Sequence, residues 1–105
     1  MTPNKEDYLK CIYEIGTEVE KISNKEIASR MQVSPPAVTE MIKRMVYEGL
    51  LVKDKTHGYL LTDLGSQLVS DLYRKHRLIE VFLLEKLGYT TEEVHEEAEV
   101  LEHTV

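Results

Sequence analysis

Four potential metal ligands near the C-terminal end of the sequence share one stripe of a helix. In Glu99-x-x-Glu102-His103, on a helix advancing about 100° per residue, Glu99, Glu102 and His103 fall at about 0°, −60° and 40°, and His95 at about −40°. Carboxylates and imidazoles on one stripe make a mixed oxygen and nitrogen donor set, suited to hard or borderline divalent ions. Farther back, His76 and Glu80 stand at i, i+4, with Leu72 and Ile79 beside His76. A histidine at an apolar edge is ordinarily structural, and Glu92, Glu96 and Glu97 show that acids on the last helix can simply be solvated. Density sets the stripe apart. Carboxylates this close repel one another, almost no lysine or arginine lies near to neutralise them, and a cation would do so.

The charge distribution has the same asymmetry. Through Arg77 there are 12 Lys/Arg against 11 Asp/Glu, whereas from Leu78 onward there is one against eight. The total of −6 therefore conceals a nearly neutral N-terminal part that can present a local basic face. A chain of 105 residues, 42% hydrophobic and 30% charged, is globular in composition and sized for one core or one core with an appendage. No apolar run approaches the roughly 20 residues of a membrane helix, and the start carries Pro3, Lys5, Glu6 and Asp7 rather than an apolar signal core. A soluble, unexported protein is expected, with no membrane partner. The single Cys11 excludes an internal disulfide and fits the reducing cytoplasm.

Helix and turn signals supply the elements that must position these groups. Pro3 and Asn4 open a helix over about 4–17, with Leu9, Ile12, Tyr13 and Gly16 at helical spacing and Glu6 and Asp7 in the first turn. Ser23 and Glu26 form a capping-box pair for a short helix over about 24–31, with Ile27, Ala28 and Met31 on one face. Gln32-Val33 makes a turn, Ser34 caps the next helix, and Pro35 and Pro36 occupy its first turn, where no backbone donor is needed. Val38, Met41, Ile42 and Met45 form its buried stripe. After Gly49 the period changes: Leu50 to Val52 and Tyr59 to Leu61 read as two strands around a polar Lys53–Gly58 tip. Thr62 caps a long helix to about Leu87, with Leu64, Leu68, Leu72, Ile79 and Leu83 broadly on one face. Gly88 stops it, and Thr90 with Glu93 caps a last helix whose Val94, Ala98, Leu101 and Val105 form a narrow seam. That helix has no stop signal before Val105, so it is expected to continue in a longer protein.

Three helices, a tight turn between the second and third, and a hairpin are the order of a winged helix-turn-helix. Opposite the buried stripe of the third helix lie Pro36, Thr39, Glu40 and Lys43, flanked by Ala37 and Arg44. Threonine and alanine methyls can meet a thymine methyl, glutamate can accept from cytosine, and lysine or arginine can reach phosphate. The plain alternative is a solvated helix face. Ser34 and Pro35 place the exposed helix start where short side chains and free N–H groups can approach a phosphate. Lys53, Lys55 and His57 at the hairpin tip suit a wing lying along the DNA backbone, although surface loops are often basic. Enzymatic signals are poor: no His-Glu-x-x-His, no Gly-rich phosphate loop, and no serine or cysteine nucleophile with an evident base. Cys11 reads as a small buried apolar residue.

Several segments together resemble the metal-dependent transcriptional regulators of the diphtheria-toxin-repressor and manganese-transport-regulator family, and within it the streptococcal manganese-responsive repressors. They are Glu6-Asp7-Tyr8-Leu9, Ser34-Pro35-Pro36-Ala37-Val38-Thr39, Gly58 through Leu64, Arg74-Lys75-His76-Arg77-Leu78-x-Glu80, and His95-Glu96-Glu97-Ala98-Glu99-x-x-Glu102-His103. The resemblance implies a mostly α fold: a winged helix-turn-helix over 1–72, then the start of a helical metal-binding and dimerisation domain over 73–105. It implies a homodimer that binds a palindromic double-stranded operator when its metal sites are filled, and so represses metal-uptake genes. Carried over by motif, one metal site uses Asp7, Glu99, Glu102 and His103, and a second draws on His76, Glu80 and His95. Iron-type relatives have Met and Cys where this chain has Asp7 and Glu99, so the implied cofactor is Mn2+, with Fe2+ or Zn2+ as in-vitro substitutes. Two other classes stand beside this one: a winged-helix DNA binder without metal gating, and a metalloenzyme or protein-interaction module.

Overall fold

A computed structural model describes residues 3–86 and 98–102. Its elements are α1 (Lys5–Glu18), α2 (Asn24–Met31), α3 (Pro35–Tyr47), β1 (Leu51–Asp54), β2 (Gly58–Leu61) and α4 (Asp63–Lys86), with 98–102 also helical. Two compact units are distinguished, Met1–Val69 and Ser70–Val105.

Each helix of the first unit starts where a side chain can serve backbone donors that have no partner within the helix. At α1 the Asn4 side chain accepts from the Asp7 N–H while the Asp7 carboxylate accepts from the Asn4 N–H, both at 3.0 Å. This reciprocal capping box fixes the first turn. Ser23 Oγ accepts from the Glu26 N–H at 3.1 Å. The Glu26 carboxylate is engaged by Arg30 Nε at 3.0 Å, and the same guanidinium reaches Glu18 on α1, tying α1 to α2. Glu18 is held below its ordinary carboxylate range by that hydrogen bond. Gln32 then leaves α2 in the left-handed region, at φ 55°. Ser34 Oγ accepts from the Ala37 N–H at 3.3 Å, and Pro35 and Pro36 open α3.

The core gathers Leu9, Ile12 and Ile15 from α1, Ile27 from α2, Val38, Ile42 and Met45 from α3, Leu51 from β1 and Val69 from α4. Tyr13 does not join the α1 stripe: it is 45% exposed, while Tyr8, Cys11 and Ile15 are buried. The buried arc is centred on Ile12 and takes its neighbours at i−4 and i+3, which turns Tyr13 outward. Leu64 likewise lies outside the stripe expected of α4, 52% exposed. Burial pushes the Cys11 thiol up to about 11, so it is protonated and unreactive at neutral pH, as expected of a buried apolar residue.

The hairpin is antiparallel, with Leu51 opposite Leu61 and Asp54 opposite Gly58. Its strands run farther than the sequence suggested: Lys53, Asp54 and Gly58 belong to the ladder, leaving 55–57 as the tip. Asp54 Oδ2 accepts from the Thr56 and His57 N–H groups at 3.0 and 2.7 Å and lies 2.8 Å from His57 Nδ1. These bonds hold the Asp54 carboxyl below its ordinary range. The tip also docks on the α1–α2 loop, the Ile22 N–H donating to the His57 carbonyl at 2.8 Å.

Candidate metal centre and nucleic-acid interface

In the second unit, Leu72, Leu83 and Ala98 are the buried apolar residues among those described, and Glu102 is buried with them, fully shielded from solvent. A carboxylate at such a position is costly unless something compensates its charge. One partner among the described residues is His76 on α4, whose Nδ1 lies 2.8 Å from Glu102 Oε2 and 4.0 Å from Glu99 Oε1. One helical turn on, the Glu80 carboxylate contacts His76 Nε2. Both ring nitrogens therefore face carboxylate oxygens. A neutral imidazole donates from only one nitrogen, so two such contacts call for one more cation equivalent, a proton or a metal ion.

Ligand atoms of His76, Glu99 and Glu102 all lie within 4.8 Å of one another. Two carboxylates and an imidazole suit a hard or borderline divalent ion, so the donor chemistry fits Mn2+ and also Zn2+. The family motif divides these residues between two sites, whereas the described geometry clusters His76 with Glu99 and Glu102, and Glu80 meets the other ring nitrogen of His76. The i, i+4 spacing revealed the His76–Glu80 pair. The approach of His76 to Glu102, 26 residues away, is tertiary and has no local sequence signal. His95 and His103 lie outside the described residues. Asp7 is part of the α1 capping box in the first unit.

The candidate DNA-reading residues sit on α3 and the hairpin. Ser34, Pro35, Pro36, Ala37, Thr39, Glu40, Lys43 and Arg44 are all exposed, as are Lys53 on β1 and Lys55 at the tip. The Thr39 hydroxyl donates to the Pro35 carbonyl at 3.1 Å and accepts from Asn24 Nδ2 at a long 3.4 Å. Tyr59 on β2 donates to Asn24 Oδ1 at 2.6 Å. A polar chain thus runs from the hairpin through the first residue of α2 to the recognition helix. Neither Asn24 nor Tyr59 was marked by the sequence, because their bonds join positions 15 and 35 residues apart. With its hydroxyl engaged inside the protein, Thr39 has its methyl left to offer a ligand.

Residues 1–59 match the N-terminal DNA-binding domain of the iron-dependent repressors, and residues 62–105 match the metal-binding and dimerisation domain of the same repressors. The HTH-type transcriptional regulator MntR of Lysinibacillus sphaericus (strain C3-41) is 32% identical over 102 residues, which are 97% of this chain and 73% of that protein. The crystal structure of ScaR with bound Zn2+ superposes with a TM-score of 0.92 at 78% identity, over 98% of this chain and 48% of ScaR. The metal-dependent transcriptional regulator MtsR gives a TM-score of 0.90 at 70% identity, over 100% of this chain and 49% of MtsR. The chain therefore spans about half the length of these solved relatives. A winged helix-turn-helix followed by a carboxylate–imidazole cluster, matched along both segments, places this chain in the iron-dependent repressor family.

Proposed function

We propose that this chain is the DNA-binding and metal-sensing part of a manganese-dependent transcriptional repressor of metal-uptake genes, acting as a cytoplasmic homodimer on a palindromic operator, and that it is not an enzyme. One observation carries the reading: a fully buried Glu102 paired with His76, beside Glu80 and Glu99, in a chain whose first unit is a winged helix-turn-helix. The ligand assignment rests on the cluster geometry for His76, Glu99 and Glu102, on the contact with His76 for Glu80, and on the family motif for Asp7, His95 and His103. Among relatives, ScaR is a manganese-activated repressor and SloR a manganese regulator. Among the described residues no helix is long and apolar enough to cross a membrane.

The test is a titration of Mn(II) into the chain, with a DNA duplex enriched by the chain from a random-sequence pool. DNA affinity should rise at least about tenfold with metal, and by linkage the duplex should tighten Mn(II) binding by the same factor. Flat affinity would leave a winged-helix DNA binder without metal gating, the alternative reading.

Lys43→Ala or Lys55→Ala should weaken the enriched duplex and random DNA alike, and lower the salt slope by about one phosphate's worth. Thr39→Val keeps the methyl and should keep sequence preference, whereas Thr39→Ala should relax it; equal loss with both would mean that the hydroxyl does the reading. For the metal, Glu99→Cys replaces a hard oxygen donor by a soft sulfur, so it should weaken activation by Mn(II) and improve the response to Fe(II) or Co(II). DNA binding measured against buffered free-ion concentration checks this, and an unchanged order of metals would remove Glu99 from the ligand set.

A further inference from the structure

We propose that the groove between α3 and the hairpin seats the sugar–phosphate backbone of one DNA strand, and that Tyr47 is an uncharged phosphate-binding residue within it. This rests on the DNA-binding reading above and adds residues that reading does not assign. The groove encloses about 390 Å³. Lys43 and Tyr47 line it from successive turns of α3, and Lys53 and Tyr59 line it from the strands, over a floor that includes Ile42 and Val46. None of its lining residues is acidic, in a chain of net charge −6. Two ammonium groups above an apolar floor match a DNA strand, which presents apolar deoxyribose faces between anionic phosphates.

The donors available in the groove can be counted. The Tyr59 hydroxyl is given to Asn24, and the Asn24 amide to Thr39. Lys43, Lys53 and Tyr47 have no hydrogen bond or ion pair among the described residues, so their donors remain for a ligand. Tyr47 is 92% exposed. An aromatic side chain that exposed contributes little to the packing of the fold, while its hydroxyl can donate to a phosphate oxygen without adding charge. A protein partner for this surface would be the competing occupant. The cationic, acid-free lining favours the nucleic acid.

The experiment compares wild type, Tyr47→Phe and Lys53→Ala, each loaded with Mn(II), on a duplex enriched from random-sequence DNA and on unselected DNA. Tyr47→Phe should weaken both duplexes about tenfold, the loss of one hydrogen bond to a charged acceptor, with the salt slope unchanged. Lys53→Ala should lower that slope by about one. With methylphosphonates placed singly along the enriched duplex, one position per half-site should bring wild type and Tyr47→Phe to near-equal affinity. If wild type binds DNA with Mn(II) and Tyr47→Phe matches it on both duplexes, the groove assignment is wrong and the DNA-binding reading stands. If wild type binds no DNA at all, both fall together.

Discussion

Glu102→Gln should fold normally and need at least about a hundredfold more free Mn(II) to stimulate DNA binding, while the weak metal-free DNA affinity stays as in wild type. Glu102 is fully shielded and lies 2.8 Å from His76 Nδ1, a position where a charged carboxylate needs a positive partner such as a bound cation. Glutamine keeps the volume and an oxygen that can face His76 Nδ1, but it removes the charge that attracts a divalent ion. A ligand lost from such a cluster costs more than the 10- to 100-fold that follows loss of a residue merely supporting a ligand. Because the substitution also removes a buried charge, metal-free stability should fall by no more than about 1 kcal/mol and can rise. The two roles therefore separate. A purely structural Glu102 predicts a destabilised variant with an intact metal response, and a melting curve with an anisotropy titration of labelled DNA against Mn(II) would reveal that pattern.

What the sequence made legible follows from local chemistry. Asn4, Ser23 and Ser34 each accept the hydrogen bond that starts a helix, because capping depends on residues three apart. The hairpin was visible from the change of period after Gly49. Its register was not: Lys53 and Asp54 are polar and read as turn, yet strand pairing extends through them to Gly58, since Asp54 closes the tip by accepting from Thr56 and His57. Periodicity placed Leu9 and Ile12 in the core but could not fix the centre of the stripe, which is set by what packs against it. Tyr13 and Leu64 were misplaced for that reason. The metal candidates show the same division. Spacing on one helix indicated His76 with Glu80 and Glu99 with Glu102, whereas the approach of His76 to Glu102 and the complete burial of Glu102 depend on packing. The Asn24 link between Tyr59 and Thr39 was equally invisible, because each residue alone looks like an ordinary surface polar group.

Gly58→Ala should lower stability by about 3 kcal/mol and the melting temperature by roughly 15 °C. Gly58 has φ +76°, a conformation that costs an L-residue about 1–2 kcal/mol. A Cβ there would also overlap the carbonyl of Ile22, which is backbone and cannot rotate aside. Relief requires the hairpin to withdraw from the α1–α2 loop. That movement breaks the 2.8 Å bond from the Ile22 N–H to the His57 carbonyl, a further loss of about 1 kcal/mol. Gly16 is the internal control: it lies within α1, and a Cβ there would meet Ile22 Cδ1 at 3.5 Å, ordinary van der Waals contact. Gly16→Ala should therefore stabilise by about 0.5–1 kcal/mol, since alanine loses less backbone entropy in a helix. Thermal unfolding followed by circular dichroism compares the two variants directly. The hairpin also carries Lys53 and Lys55, so at a temperature where Gly58→Ala is still folded it should bind the enriched duplex more weakly than wild type. If Gly58→Ala melts with wild type, the close approach of the wing to Ile22 is not part of the native structure, and the wing must be held by other contacts.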